Sequence, residues 1–481
     1  MPPPEAPDIR RTPGAVAARG CENSRVPALS HLNRWGFAAA LAAASATFGV
    51  VAGIDPRFAI AAALSFAFLL LVLADLYVGL ILFTLLNFAA QVPTVAGPGL
   101  SFAKIAGLLL AISWVAALAT RHDTRSDFTS AHPGLTYVLV LFLSWAALSQ
   151  LWAEDSGQAL TEFSRLALNA LLFLIIFTAV RTPTQAIGFV AAFVGGACID
   201  GLYGMLFATS NPGTASRLSS SITNPNELAT ILVAALVLSL GLAAALRQQP
   251  LARWAALAAA ALCIGGIFLT GSRGGLVALA VALAAFLVVG ARWRGRMLVV
   301  VVAVALAGVG YFNYVASPAI RSHVSSVGSG TGRLDLWTVA WRMVEQEPIR
   351  GVGGGNFPVS SVHYLLEPGA IARSDYIVGS PKVAHNTYLE LWAELGLVGL
   401  ILFLSVVGFC LYSALKAAGS FARQGDDRME VIARTLFVAL AGLLAADFFG
   451  SRLTNKEIWL LLGLAPALLA IARSHEPTGS A

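Results

Sequence analysis

Charge is scarce in this sequence. Only 12% of its 481 residues are Asp, Glu, Lys or Arg, against 57% hydrophobic residues; an ordinary soluble domain carries about 25% charged residues. So little charge cannot cover so much apolar matter in water, which excludes a soluble globular protein and makes a lipid bilayer the required surroundings. Cysteine is almost missing as well. Cys21 lies in the N-terminal tail and Cys198, Cys263 and Cys410 lie in apolar runs, so neither a disulfide framework nor a zinc site is implied. No basic tract is interleaved with aromatics, and the net charge of +6 reflects the cationic cytoplasmic loops common to membrane proteins. Nucleic acid is not an expected partner. The connections expected on the outer side hold no Asp-x-Asp metal motif, and no metal site or cofactor is expected. Nor do the two halves show the repeated, Gly- or Pro-broken apolar segments of many transporters.

What the sequence has in abundance is apolar runs of spanning length. They fall near 35–54, 58–74, 75–91, 103–119, 134–152, 165–180, 184–208, 228–246, 252–270, 274–290, 297–315, 387–415, 430–450 and 457–472. About 20 apolar residues cross a bilayer, so the expected fold is an all-α, polytopic transmembrane helical bundle of about 12–14 spans. The second and third runs are parted only by Ala74 and Asp75, hence the range. The expected organisation is a disordered cytoplasmic tail over 1–34, a bundle of about 11 spans over 35–315, a long loop over 316–384, further spans over 385–473 and a cytoplasmic tail over 474–481. With the Arg-rich N-terminus inside, alternation puts Arg121, Arg125, Arg181, Arg247, Arg253, Arg292, Arg294, Arg296, Lys416, Arg423, Arg428 and Arg434 in cytoplasmic connections. The outer connections carry fewer cations, and 316–384 falls on the outer side. A loop of that length usually has a function. Its stretch from Gly332 to Pro348 carries Leu334, Trp337, Trp341 and Val344 at helical spacing, which predicts an amphipathic helix lying on the membrane surface or on the bundle.

Several polar residues stand out against this background. Arg217, Arg273 and Arg333 fall on the outer side, where cations are not favoured. Each alone reads as readily as a snorkelling anchor; together they suit a di-anionic headgroup, because the planar guanidinium fork grips phosphate. His385 stands where the long loop re-enters the membrane, and histidine is the commonest general base. Asn386, Glu390 and Glu394 follow it at helical spacing, placed to orient the imidazole or simply to serve as solvated first-turn acids. Asp200 and Asp447 are acids within spans, where charge is expensive and by default functional; they are expected to partner arginines or line an acceptor cleft. Gly351 to Gly355 reads as a flexible turn or, less readily, as a backbone nest for phosphate.

His385-Asn386, nine residues and then Gly396-Leu397-Val398-Gly399 form a pattern that resembles the signature of the O-antigen ligase and polymerase family. Gly271-Ser272-Arg273-Gly274-Gly275 resembles it too, as do Gly332-Arg333 with Trp337, the stretch Gly351 to Phe357, and Asn224-Pro225-Asn226-Glu227. Their order matches over roughly 210–450. The resemblance implies a GT-C-like bundle with a large periplasmic loop in the bacterial inner membrane. It implies a metal-independent, inverting transfer of a glycan from undecaprenyl pyrophosphate. By the same resemblance Arg273 and Arg333 hold the pyrophosphate and His385 activates the acceptor hydroxyl. Asn224, Asn226, Asn386 and Glu390 are expected to bind substrate, as is Arg217, which rests on the charge argument alone. The acceptor is lipid A core in a ligase or a growing polysaccharide in a polymerase. A membrane transporter is the competing reading of another class.

Overall fold

The computed structural model describes residues 75–89, 102–120, 127–207, 218–219, 224–325, 332–365 and 382–474, with a few isolated positions between 45 and 71. The runs expected at 35–54 and 58–74, the tail over 1–34, most of the C-terminal tail, and Arg217 lie outside them. The chain divides into two units, Met1–Ala63 and Leu64–Ala481.

The longer helices described in the second unit are α1 (Leu76–Ala89), α2 (Phe102–Thr120), α3 (Pro133–Leu148), α4 (Ser156–Ala179), α5 (Pro183–Phe207), α6 (Pro225–Ala245), α7 (Pro250–Thr270), α8 (Arg273–Val289), α9 (Arg294–Gly310), α10 (Arg333–Gln346), α11 (Thr387–Gln424), α12 (Asp427–Ala446) and α13 (Lys456–Ser474). No strand occurs among the described residues, and nine of the helical segments there are long and apolar enough to cross a membrane. The protein is an all-α polytopic membrane protein. Proline opens α3, α5, α6 and α7, where its missing N–H costs nothing and its fixed φ suits the first turn. Helix α4 starts earlier than its apolar run. Asp155 accepts from the Gln158 N–H at 2.9 Å, and this cap draws the acidic connection into the helix.

Helix α6 is apolar around its whole circumference, so it takes the centre. It is almost wholly buried, packed by α5, α7, α8 and α12. Helix α13 is similarly enclosed, between α4 and α11. Arg292 and Arg434 ion-pair with Glu430, and Arg292 and Arg247 with Asp427. These basic residues, which the charge bias puts on one side, meet at the end of the bundle away from His385.

Helix α11 is broken at Gly396, whose φ of 68° and ψ of −175° are not helical. A continuous helix would join Leu397 N–H to Ala393 O. Here the long loop takes both groups: Val352 N–H donates to Ala393 O at 2.9 Å and Leu397 N–H donates to Pro348 O at 2.9 Å. Gly353 N–H reaches Glu394 O at 2.8 Å, and the Trp145 indole reaches Leu395 O at 2.7 Å. A freed backbone group beside lipid costs several kcal/mol unless paired, so the glycine-rich loop supplies the partners that the break removes. Glycine is required on both sides of this clasp. A Cβ on Gly396 would overlap Ile349 O, and one on Gly351 would overlap Glu394 O.

Helix α10 forms where the spacing predicts one, but with a different buried face. Leu336, Val339, Ala340, Met343 and Val344 are buried, whereas Leu334 and Trp341 are exposed. The buried set keeps the i, i+3, i+4, i+7 rhythm and packs with Phe357, Ala384 and Ala393. Trp337 does dock on the bundle: its indole donates to Ala384 O at 3.0 Å and meets Phe448 edge-on.

Candidate active site

Three turns meet at one end of the bundle. The first opens α6, where Asn224 Oδ1 accepts from the N–H groups of Asn226 and Glu227 at 3.0 and 3.1 Å. The second is the α7–α8 turn. Gly271 closes α7 in the left-handed region, and Ser272 caps α8 by accepting from Gly275 N–H at 3.1 Å. Ser272 Oγ also donates to Asn226 Oδ1 at 2.8 Å, stitching the two turns together. The third turn is the 447–452 segment after α12. Thr387 N–H donates to Gly450 O at 2.9 Å and Arg452 N–H donates to Thr387 Oγ1 at 3.0 Å, tying it to the start of α11.

His385 sits at this junction with φ of 54°, the left-handed region that a non-glycine residue enters only under constraint. The constraint is visible. Its N–H donates to Ser451 Oγ at 2.9 Å, and Ser451 Oγ donates to Glu390 Oε2. Glu390 Oε2 also accepts from Ala384 N–H at 2.8 Å. Glu390 thus holds the backbone on which the imidazole is mounted. Asn386 serves as the α11 cap, accepting from the N–H groups of Tyr388 and Leu389 at 3.1 Å each. Among the described residues nothing hydrogen-bonds to the His385 ring. Burial, and then the charges of Arg333 and Lys382, hold its pKa below the ordinary 6.5. The neutral imidazole, able to accept a proton, is therefore favoured at neutral pH.

A cleft of about 450 Å³, its open mouth included, joins these groups. Arg333, Val383 and His385 line it from the loop, and Asn224, Asn226, Glu227 and Thr230 line it from α6. Gly274, Ser451 and Arg452 add to the wall, with Ala446, Phe449 and Gly450. Arg273 adjoins through Gly274: burial, and behind it the Arg273 charge, pull the Arg333 guanidinium below its usual value. Of the sequence candidates, Arg333, His385, Asn224 and Asn226 share the cleft, Arg273 stands at its edge, and Asn386 and Glu390 lie behind it. Arg217 lies outside the described residues. Asp200 is buried in α5. Asp447 pairs with Arg452 at 2.8 Å.

The Gly351–Gly355 turn is occupied by an acid side chain of the chain itself. Gly355 and Phe357 donate their N–H groups to the Glu394 carboxylate at 2.9 Å each, so the nest is filled from within the chain. Of the charged cleft residues, Glu227 entered the sequence reading only as part of the Asn224–Glu227 motif, with no role, and Arg452 was not a candidate. Their signals were slight: an acid in a capped first turn, and an arginine five residues after an acid that ends a span.

Fold and cleft together define a polytopic membrane protein with a cationic, histidine-bearing pocket at one end of its bundle. Residues 258–404 match the family model described as O-antigen ligase, which supports assignment to the O-antigen ligase and polymerase family. That stretch holds Arg273, Arg333, His385 and the clasp around Gly396, while Glu227 and Arg452 fall outside it. A comparison with curated proteins gives no match.

Proposed function

We propose that the protein is a metal-independent, inverting glycosyltransferase of the bacterial inner membrane, moving a glycan from undecaprenyl pyrophosphate to lipid A core at the periplasmic face. One observation carries this reading: an imidazole with no hydrogen-bond partner among the described residues shares a cleft with Arg333, beside Arg273. In the proposed reaction the acceptor hydroxyl oxygen attacks the anomeric carbon. The carbon–oxygen bond to the diphosphate breaks with inversion, and the hydroxyl proton passes to the His385 ring. The lipid diphosphate leaves with the bonding electrons. Arg273 and Arg333 stabilise its growing charge in a partly dehydrated site, where fixed cations act strongly. The guanidinium forks suit this role because they bind phosphate oxygens in pairs.

The test is transfer by the purified chain, given a lipid-linked glycan and separate lipid A core and polysaccharide acceptors. Arg273→Lys and Arg333→Lys are each expected to lower turnover by roughly 100-fold or more, the scale of losing one transition-state donor. Wild-type turnover in both variants would remove the diphosphate clamp. Product on the polysaccharide alone would make the protein a polymerase of the same family.

A further inference from the structure

The cleft has two unlike faces. Arg333 and His385 stand on one, with Lys382 close by. The other is formed by Glu227 and Arg452, with Asp447 behind them. Glu227 is half-buried in the first turn of α6. Its carboxylate meets Asn224 of the same cap, and its neighbour of opposite charge is Arg452. A carboxylate has about four acceptor sites, so this local contact leaves others for the cleft. Arg452 is 8% exposed, and its Nε and Nη2 make no hydrogen bond, although Nη2 lies 2.8 Å from Asp447 Oδ1. Buried polar groups are nearly always paired, and an exception calls for an explanation. Two carboxylates against one guanidinium also make this face repel phosphate. Its spare acceptor sites and the unbonded Arg452 Nε match instead a group that both gives and takes hydrogen bonds while carrying no charge. Sugar hydroxyls do that.

We infer that the Glu227–Arg452 face binds the sugar directly attached to the diphosphate, Glu227 accepting from its hydroxyls and Arg452 supplying the donor side. The inference rests on the lipid diphosphate donor proposed above. Continuity favours the donor sugar: with the diphosphate on Arg333, the next group along the ligand enters the same small cavity, which Glu227 and Arg452 also line.

The experiment compares wild-type and Glu227→Gln full-length protein in lipid nanodiscs. Two kinds of probe are used: bare undecaprenyl pyrophosphate, and the same lipid carrying one N-acetylglucosamine or one galactose. Wild type is expected to bind at least one glycosylated probe more tightly than the bare lipid. Glu227→Gln is expected to cut that advantage by roughly tenfold, the scale of one charged hydrogen bond, while bare-lipid affinity stays within about twofold. Glu227→Asp, which keeps the charge, is expected to retain part of the advantage. Two results would overturn the inference: an undiminished advantage in Glu227→Gln, or an equal loss for bare and glycosylated lipids. If wild type binds the bare lipid but gains nothing from any sugar, the inference fails and the donor proposal stands. If wild type binds none of these lipids, the donor proposal itself fails and takes this one with it.

Discussion

At the scale of single residues, the proposed reaction puts its proton transfer on His385. A base must be neutral to act, so activity is expected to fall as pH drops through the His385 pKa, and that acid limb should lie below pH 6.5. Lys382 is one cause of the depression. Replacing it with Gln removes a positive charge, makes the imidazole easier to protonate, and should move the acid limb upward; a kcat/KM–pH profile of both proteins checks this. An unmoved limb would mean that another group titrates. His385, Arg273 and Arg333 were legible in the sequence because each is a polar residue in a place where apolar segments or charge bias do not call for one. Glu390 and Glu394 were legible as a pair on one helix face, but not in their use. Their partners are Ser451, Ala384 and the N–H groups of Gly355 and Phe357, and helical spacing carries no information about groups that far along the chain. Glu227 was hidden for a similar reason: an acid in a first turn reads as a dipole partner until a cavity is seen beside it.

Among elements, the broken helix α11 and the glycine-rich loop behave as one unit. Replacing Gly396 with Ala combines a left-handed φ with overlap on Ile349 O and should cost about 2–5 kcal/mol. Glu394→Gln keeps the shape but turns an amide N–H toward one of the two backbone donors and should cost about 1–3 kcal/mol. Thermal unfolding in detergent should therefore show lower midpoints for both variants, with Gly396→Ala the lower. A wild-type midpoint for Gly396→Ala would refute the clasp. Both halves of this feature were visible beforehand as motifs, Gly-x-x-Gly and the run from Gly351. Their mutual fit was not, because sequence shows which residues are small and not which backbones meet. Helix α10 teaches the same lesson: its period was legible, but two overlapping apolar stripes were present, and contact with Phe357 and Ala393 selected the one through Leu336 and Val339.

For the whole molecule, sidedness is the property to measure. A single cysteine at exposed position Leu334, in a chain whose native cysteines are replaced, should react with a membrane-impermeant maleimide in intact spheroplasts. The same probe at Arg428, near the far end of α11, should react only after permeabilisation. The reverse pattern would turn the site toward the cytoplasm and overturn the proposed periplasmic reaction. The charge bias predicted this orientation because lipid makes sidedness a matter of counting cations. The interlock of Val352, Gly353 and Leu397 has a further consequence for engineering. Outer loops of membrane proteins are commonly treated as exchangeable modules. Here the loop's own amides finish a spanning helix, so a graft taken from a relative should assemble only if the matching turn at 393–397 travels with it.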